Sequence, residues 1–347
     1  MSTDVAIIGD LFMRSDYFEE ALSRTCGARV RCRSLDLQWP EQPMAHKATR
    51  ADLAGLHEYM GVPEEVIAHV ADAPVLVTHL APMSRTMFEA MPSLKLLAVA
   101  RGGPVNIDMN AAAEHQVQVV NAPGRNAAAV AEFTIGAILA ETRNITRGHD
   151  ALRRDVYRGD LYRADRAGDE LSEMTVGVIG YGDIGRRVVR LLRAFETRVL
   201  VHDPYVELLP EHAADPDIES CTLETLLRDS DVVSLHQRVT AETRGMIDAA
   251  ALAAMKPDAI LVNTARGPLM DYDALYAALS AGHLRGAMLE TFAVEPTPAD
   301  LPLLKLPNVT LTPHIAGASR TTIRNAAAKA ATEVQRWLDH EPPLNPC

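Results

Sequence analysis

The chain has 347 residues, 48% of them apolar, and a formal net charge of −12. That length suits two domains rather than one, and the apolar content supports sizeable cores and excludes a disordered chain. The acidic balance argues against nonspecific nucleic-acid binding, which needs clustered cations, but leaves room for a small anionic substrate in a locally basic pocket.

Aromatic residues make up only 5%, so the cores are expected to be aliphatic and rich in alanine. Cys26, Cys32, Cys221 and Cys347 form no CxxC pair and no metal-ligand spacing, so free thiols in a reducing cytoplasm and no metal are expected. The start, Met1-Ser2-Thr3-Asp4, lacks the basic and apolar regions of a signal peptide. No apolar run approaches the roughly 20 residues that span a bilayer. The expectation is a soluble, cytoplasmic protein.

In chain order, Val5–Ile8 is a short apolar strand, Phe18–Ser23 a helix and Arg29–Arg33 a second strand. Val75–Thr78 and Leu94–Ala100 are further buried strands, with a helix at Arg85–Ala90 between them and a short strand at Val117–Val120 after them. Strands alternating with helices imply a parallel sheet. Ala127–Thr142 is a helix whose stripe is Val130, Phe133, Ala137 and Ile138. Gly148–Leu171 is polar and expected to be irregular and exposed. Six more strands follow: Thr175–Ile179, Arg198–His202, Val232–Leu235, Ile260–Asn263, Gly286–Leu289 and Val309–Thr312. With helices between them they match a second doubly wound sheet. Arg320–Asp339 is a terminal helix.

Residues 180–185 read Gly-Tyr-Gly-Asp-Ile-Gly, directly after one predicted strand and at the start of a helix. That context turns a weak GxGxxG pattern into a dinucleotide-binding turn. Gly180 permits the tight turn, Gly182 lets amides approach a pyrophosphate, and Gly185 lets the helix pack on the strand. The helix start at Tyr181, Asp183 and Ile184 presents N–H groups to the phosphates. The next strand ends at Asp203, 18 residues after Gly185, close to the roughly 20 expected of a ribose-binding acid. A carboxylate there repels a 2′-phosphate, so NAD is the expected cofactor.

Three later strands each lead into a polar residue: Arg266, Glu295 and His314. Ligands of a doubly wound sheet bind outside the carboxyl ends of its strands, so the three can converge at the reactive end of a bound cofactor. The set suits hydride transfer on a 2-oxo or 2-hydroxy acid. His314 exchanges the hydroxyl proton, Glu295 orients it and favours its protonated form, and Arg266 holds the substrate by a two-pronged hydrogen bond.

These segments resemble the D-isomer-specific 2-hydroxyacid dehydrogenase family, which includes phosphoglycerate, glycerate/hydroxypyruvate and D-lactate dehydrogenases. The likeness runs from about residue 75 to 320. It rests on the 121–132 segment Asn-Ala-Pro-Gly-Arg-Asn-Ala-Ala-Ala-Val-Ala-Glu, the glycine turn, Asn263-Thr-Ala-Arg-Gly267, Glu295-Pro296 and Thr312-Pro-His-Ile-Ala316. It implies an α/β protein of two doubly wound parallel-sheet domains with the active site in a cleft between them. A flavodoxin-like substrate domain would span 1–121 plus 317–347, and a Rossmann NAD-binding domain 122–316. It also implies that the amides of Gly102 and Gly103 receive the substrate carboxylate. His236, Thr264, Ala265, Glu290 and Ala316 would line the cofactor. A homodimer or larger homo-oligomer is implied as well.

The chain departs from the family in places. Glu290 stands where Asp is usual, at a position that contacts the nicotinamide carboxamide. His236-Gln237-Arg238 replaces His-x-Pro and puts a cation near the adenosine, which loosens the exclusion of NADP. The loop Arg101–Asn106 is shorter than usual and speaks against phosphoglycerate as substrate. His79 is read as structural rather than facing the pocket. Two alternatives stay open: an NAD(H)-sensing corepressor or scaffold, and a formate dehydrogenase, although the latter carries Gln where Glu295 stands here. The regulatory domain of some phosphoglycerate dehydrogenases has no counterpart in this sequence, so feedback control by serine is not expected.

Overall fold

The computed structural model describes residues 2–39 and 50–347, which form two compact units. Unit 1 comprises Met1–Asn126 and Ala318–Cys347, and unit 2 comprises Ala127–Gly317.

The strands of unit 1 are β1 (Thr3–Asp10), β2 (Val30–Leu37), β3 (Val75–Thr78), β4 (Leu96–Val99) and β5 (Gln118–Val120). They form one parallel sheet in the order β2-β1-β3-β4-β5. β3 and β4 are buried along their whole length, as short runs of Val and Leu covered on both faces must be. Successive side chains of β1 go to opposite faces. Ala6 and Ile8 join a core with Leu76, Leu97, Met87 and Phe88. Val5 and Ile7 join another with Phe18, Leu22, Val77 and Leu96. The second core is closed by the helix Arg320–Leu338, whose Ala326, Ala327, Ala330 and Ala331 are small enough to seat it closely. Buried Glu333 holds the chain end by accepting from the amides of Leu344 (3.1 Å) and Asn345 (2.9 Å).

Unit 2 contains β6 (Thr175–Ile179), β7 (Arg198–His202), β8 (Ile218–Ser220), β9 (Val232–Leu235), β10 (Ile260–Asn263), β11 (Gly286–Leu289) and β12 (Val309–Leu311). These seven strands are all parallel, in the order β12-β11-β10-β9-β6-β7-β8. The order reverses between β6 and β9, which is where such sheets open a crevice. Strand β8 is a seventh strand beyond the six expected. It has three residues, lies at the sheet edge and buries only Ile218, so it carries no apolar pattern.

The long helix Ala127–Thr142 also differs from its expected stripe. Phe133 is only half-buried, whereas Thr134, Ile135, Glu141 and Thr142 are buried, because the helix is enclosed on more than one side. Glu141 is ion-paired with Arg147 at 2.8 Å and accepts the Thr310 hydroxyl, tying the helix to β12. The polar segment that follows is not wholly irregular: Ile145–Arg153 is a helix, succeeded by short 3-10 turns at Gly159–Tyr162 and Leu171–Glu173. Its alternating Arg and Asp obscured a helix with only one buried residue, Ala151. Among the described residues, no helix is long and apolar enough to cross a membrane.

Candidate active site and cofactor-binding turn

Strand β6 leads into the glycine turn, and the geometry there explains each glycine. Gly180 has φ of 97°, and a Cβ on it would lie 2.7 Å from the Gln237 amide after β9. A Cβ on Gly185 would lie 2.0 Å from the Gly180 carbonyl oxygen, so only glycine lets the helix Asp183–Arg193 start there. Gly182, the residue capping that helix, has open space around its Cβ position.

Tyr181 contributes only its backbone here, because its side chain is fully buried. The ring lies under the Arg186 guanidinium, and its hydroxyl bonds to His212 Nδ1. The Tyr181 amide donates to Asp203 Oδ2 at 2.8 Å, and the Tyr205 amide to Asp203 Oδ1 at 2.9 Å. Two amides thus hold this half-buried carboxylate beside the turn. His236 follows β9; its amide donates to Ile179 O at 2.7 Å and its Nε2 lies 2.9 Å from Ser234 Oγ. Burial lowers its pKa to about 3, so the ring is neutral, and its buried Nδ1 meets no partner among the described residues. Arg238 is exposed.

Strands β10, β11 and β12 are neighbours, so their carboxyl ends lie side by side. Arg266 follows β10, exposed, with Nη1 donating to the Ala265 carbonyl at 2.7 Å. His314 follows β12 with φ of 55°, a left-handed backbone unusual for a residue with a side chain. Its Nδ1 lies 2.7 Å from Glu295 Oε2, and Glu295 Oε1 accepts the Phe292 amide at 2.7 Å. The His314 side chain keeps 33% of its surface exposed, so the pair is reachable from one side.

Burial works to lower the His314 pKa. The Glu295 hydrogen bond and charge, helped by Glu290 and opposed by Arg266, outweigh it and raise the pKa above the ordinary imidazole value. The protonated form of His314 is therefore more favoured than in an ordinary imidazole.

Glu290 is buried and braces this loop. Its Oε1 accepts from Ala316 N at 2.8 Å, and its carbonyl accepts from His314 N at 2.9 Å. The Glu290 carboxylate thus sits on the histidine loop. Thr264 and Ala265 are also buried. The Thr264 hydroxyl meets that of Thr134 at 2.8 Å, and Asn263 Oδ1 accepts the Ala265 amide at 3.0 Å.

In unit 1, Gly102 and Gly103 follow β4 with open space at their Cβ positions, and Asn121 Nδ2 donates to Gly102 O at 3.1 Å.

Reading the sequence missed several contributors. Asn263 shapes the Arg266 loop by donating to the Arg266 carbonyl at 2.9 Å. Gly267 allows that loop to press on the Glu295 loop, since a Cβ there would lie 2.0 Å from Phe292 C. Both sat in a quoted motif, and the glycine was the available signal. Asp10, His79 and Arg125 form a cluster in unit 1 that local pattern does not reveal.

The profile of the D-isomer specific 2-hydroxyacid dehydrogenase NAD binding domain matches residues 135–316. A glyoxylate reductase of Korarchaeum cryptofilum (strain OPF8) is 36% identical over 281 residues, covering 81% of this chain and 84% of that protein. A D-3-phosphoglycerate dehydrogenase of Methanocaldococcus jannaschii is 40% identical over 280 residues, covering 80% of this chain but only 52% of that protein. The chain thus spans about half the length of the phosphoglycerate dehydrogenases it matches. The solved structure of D-2-hydroxyisocaproate dehydrogenase superposes with a TM-score of 0.82 at 25% identity, over 99% of both chains. The chain belongs to the D-isomer specific 2-hydroxyacid dehydrogenase family, as an NAD-dependent oxidoreductase whose residues 135–316 are the NAD-binding domain.

The residues present fit that cofactor. The space at Gly182 lies at a helix N-terminus, Asp203 stands at the end of the adjacent strand, and the orphaned Nδ1 of His236 lies across the switch point. Gly185→Val would drive two methyl groups and a Cβ into the Gly180 carbonyl. Binding of NADH, followed by fluorescence titration, should weaken by at least about tenfold, with a melting temperature lower by several degrees. Unchanged affinity would show that the turn does not carry the cofactor.

Proposed function

We propose that this protein interconverts a small 2-oxo acid and its D-2-hydroxy acid, with His314 as acid/base, Glu295 as its partner and Arg266 as substrate anchor. The observation that carries this reading is the 2.7 Å contact of His314 Nδ1 with Glu295 Oε2, on the rim that also presents Arg266. With Nδ1 held by Glu295, Nε2 is the nitrogen left to exchange a proton with substrate. When bound, NAD supplies or accepts the hydride.

In reduction, the Nε2 proton passes to the substrate carbonyl oxygen, which becomes the hydroxyl, and His314 is left neutral. In oxidation, neutral His314 takes the hydroxyl proton, and Glu295 stabilises the imidazolium that forms. The exposed Arg266 guanidinium matches a carboxylate or a carboxylate-carbonyl pair in its planar fork. Within unit 1, the open space at the Cβ positions of Gly102 and Gly103 supports the close approach of a carboxylate to their amides. Gly182, Asp183 and Ile184 would meet the pyrophosphate through their backbone, and Asp203, held by the Tyr181 amide, the ribose. His236, Thr264, Ala265, Glu290 and Ala316 would frame the rest of the cofactor, Thr264 and Glu290 by shaping the loops that carry it.

A homodimer is also proposed. Tyr157 and Tyr162 are 86% and 96% exposed, with Leu152 and Val156 exposed nearby, an apolar surface of the kind that copies bury against one another. Light scattering should give about twice the chain mass of 37.7 kDa, and a monomer at all concentrations would end this point.

Glyoxylate, hydroxypyruvate, 2-oxobutyrate and sugar-derived 2-oxo acids should be assayed by NADH absorbance. At least one should turn over, and His314→Gln should lower its kcat by about 100-fold or more while NADH binding stays nearly intact. Tight NADH binding without turnover of any of them would instead favour an NAD(H) sensor.

The pH dependence follows from the raised His314 pKa. Reduction needs the imidazolium, so its kcat/KM should hold from acid through the ordinary imidazole value of 6.5 and decline as pH rises through the elevated pKa. Glu295→Gln removes the group that raises it, and the decline should move to lower pH. A profile that does not move would dissociate Glu295 from the proton step.

A further inference from the structure

The carboxyl rim of the unit 1 sheet holds a second polar cluster. Asp10 ends β1, His79 follows β3, Arg101 follows β4, and the loop after β5 carries Arg125. These four strands are consecutive neighbours, so parallel pairing gathers the four side chains on one edge.

Asp10 is fully buried. Its Oδ1 accepts the amides of Phe12 at 2.8 Å and Met13 at 2.9 Å, and its Oδ2 lies 2.7 Å from His79 Nδ1. Burial opposes ionisation of Asp10, but the hydrogen bond and charge of His79 and the two amides outweigh it, leaving the carboxyl below its usual range. Burial also pushes His79 down to about 4, against the pull of Asp10, so its ring is neutral at neutral pH. A neutral ring that donates from Nδ1 to Asp10 has a lone pair on Nε2, and Arg125 Nη2 approaches it at 3.4 Å. Asp10 thus orients His79, and His79 steadies one arm of Arg125.

The other arm is unengaged: Arg125 Nη1 is buried and meets no hydrogen-bond partner among the described residues. Arg101, by contrast, is ion-paired with Glu58 and donates to its carbonyl at 2.8 Å. Burial and the charge of Arg101 lower the Arg125 pKa to about 10, which still leaves the guanidinium charged at neutral pH. A buried cation with an unsatisfied N–H group calls for an acceptor, and the planar fork suits a carboxylate or phosphate. The loop that carries Arg125 is joined to the Gly102–Gly103 loop by Asn121 Nδ2 to Gly102 O at 3.1 Å and Ala122 N to Arg101 O at 2.7 Å. Arg125 therefore belongs to the same rim as the proposed receivers of the substrate carboxylate.

We propose that Arg125, on the unit 1 rim it shares with Gly102 and Gly103, binds a carboxylate or phosphate, so that the acid this rim takes carries a second anionic group at its far end. Asp10 and His79 are positioning residues for it. The assignment rests on the 2-hydroxyacid reading above, and its test has one arm that does not.

In the first arm, the full chain without cofactor is titrated with inorganic phosphate and with malonate by calorimetry. Arg125→Gln should weaken binding of whichever probe the site takes by at least about tenfold, and Arg125→Lys, which keeps the charge but not the fork, by less. Melting temperatures close to that of the unaltered chain identify folded variants. In the second arm, kcat/KM is compared between two-anion substrates, 2-oxoglutarate and 3-phosphohydroxypyruvate, and one-anion substrates, glyoxylate and pyruvate. The unaltered enzyme should favour one two-anion substrate by about tenfold or more, which also tells carboxylate from phosphate, and Arg125→Gln should abolish that preference mainly through KM. Equal losses on both substrate classes, or no preference in the unaltered enzyme, would overturn the proposal. If no 2-oxo acid turns over at all, the 2-hydroxyacid reading fails. The titrations still decide the anion site: a loss confined to Arg125 variants sustains it, and equal binding ends it.

Discussion

Parallel pairing is the constraint on which the functional architecture depends. Each strand of both sheets runs in the direction of its neighbours, so each sheet has one rim made only of carboxyl ends. Residues far apart in sequence meet there because the strand before each of them is in register with the next. Gly180 and His236 meet across β6 and β9, while Arg266, Glu290 and His314 meet across β10, β11 and β12. The same rule gathers Asp10, His79, Arg101 and Arg125 in unit 1. The strands themselves are short apolar runs that do no chemistry; they set the spacing at which chemistry is done.

On that frame, the loops are held by hydrogen bonds that leave the reactive atoms open. Glu290 binds the histidine loop through both its backbone and its carboxylate, and Asn263 closes the loop before Arg266. The left-handed backbone of His314 is an energetic cost of order 1–3 kcal/mol, which such over-determined contacts sustain. The polarity of the two histidines follows from their surroundings. His314 has a carboxylate on Nδ1 and another nearby, and its pKa rises. His79 also has a carboxylate on Nδ1, yet its pKa falls, because it is more deeply buried and faces two arginines. One environment favours the charged ring and the other the neutral ring.

Much of the architecture was legible in the chain. Apolar runs such as Val75–Thr78, Val232–Leu235 and Ile260–Asn263 are strands because fully buried parallel strands need continuous aliphatic residues. The glycine turn was legible because its three glycines answer local demands: a positive φ at Gly180, space at Gly182 and close packing at Gly185. Legibility failed where local pattern and tertiary role part. Strand β8 is held by its neighbour rather than by its own composition. The Ile145–Arg153 helix is masked by charge, and Glu141 reads as a surface acid although Arg147 and Thr310 bury it.

The sequence by itself determined the α/β class, the dinucleotide turn and the candidates Arg266, Glu295 and His314. Each of these is written in a short stretch whose physical demand is local: a period of apolar residues, a glycine without a Cβ, or a polar residue just past a strand. Only the tertiary structure decided that Glu295 meets His314 and raises its pKa. Only it decided that Tyr181 is core rather than surface, that Glu290 braces the histidine loop, and that Asp10, His79 and Arg125 meet. Those outcomes depend on burial and on distances between segments that no local pattern encodes. The desolvation and charge that set a side chain's chemistry come from whichever residues the fold brings beside it.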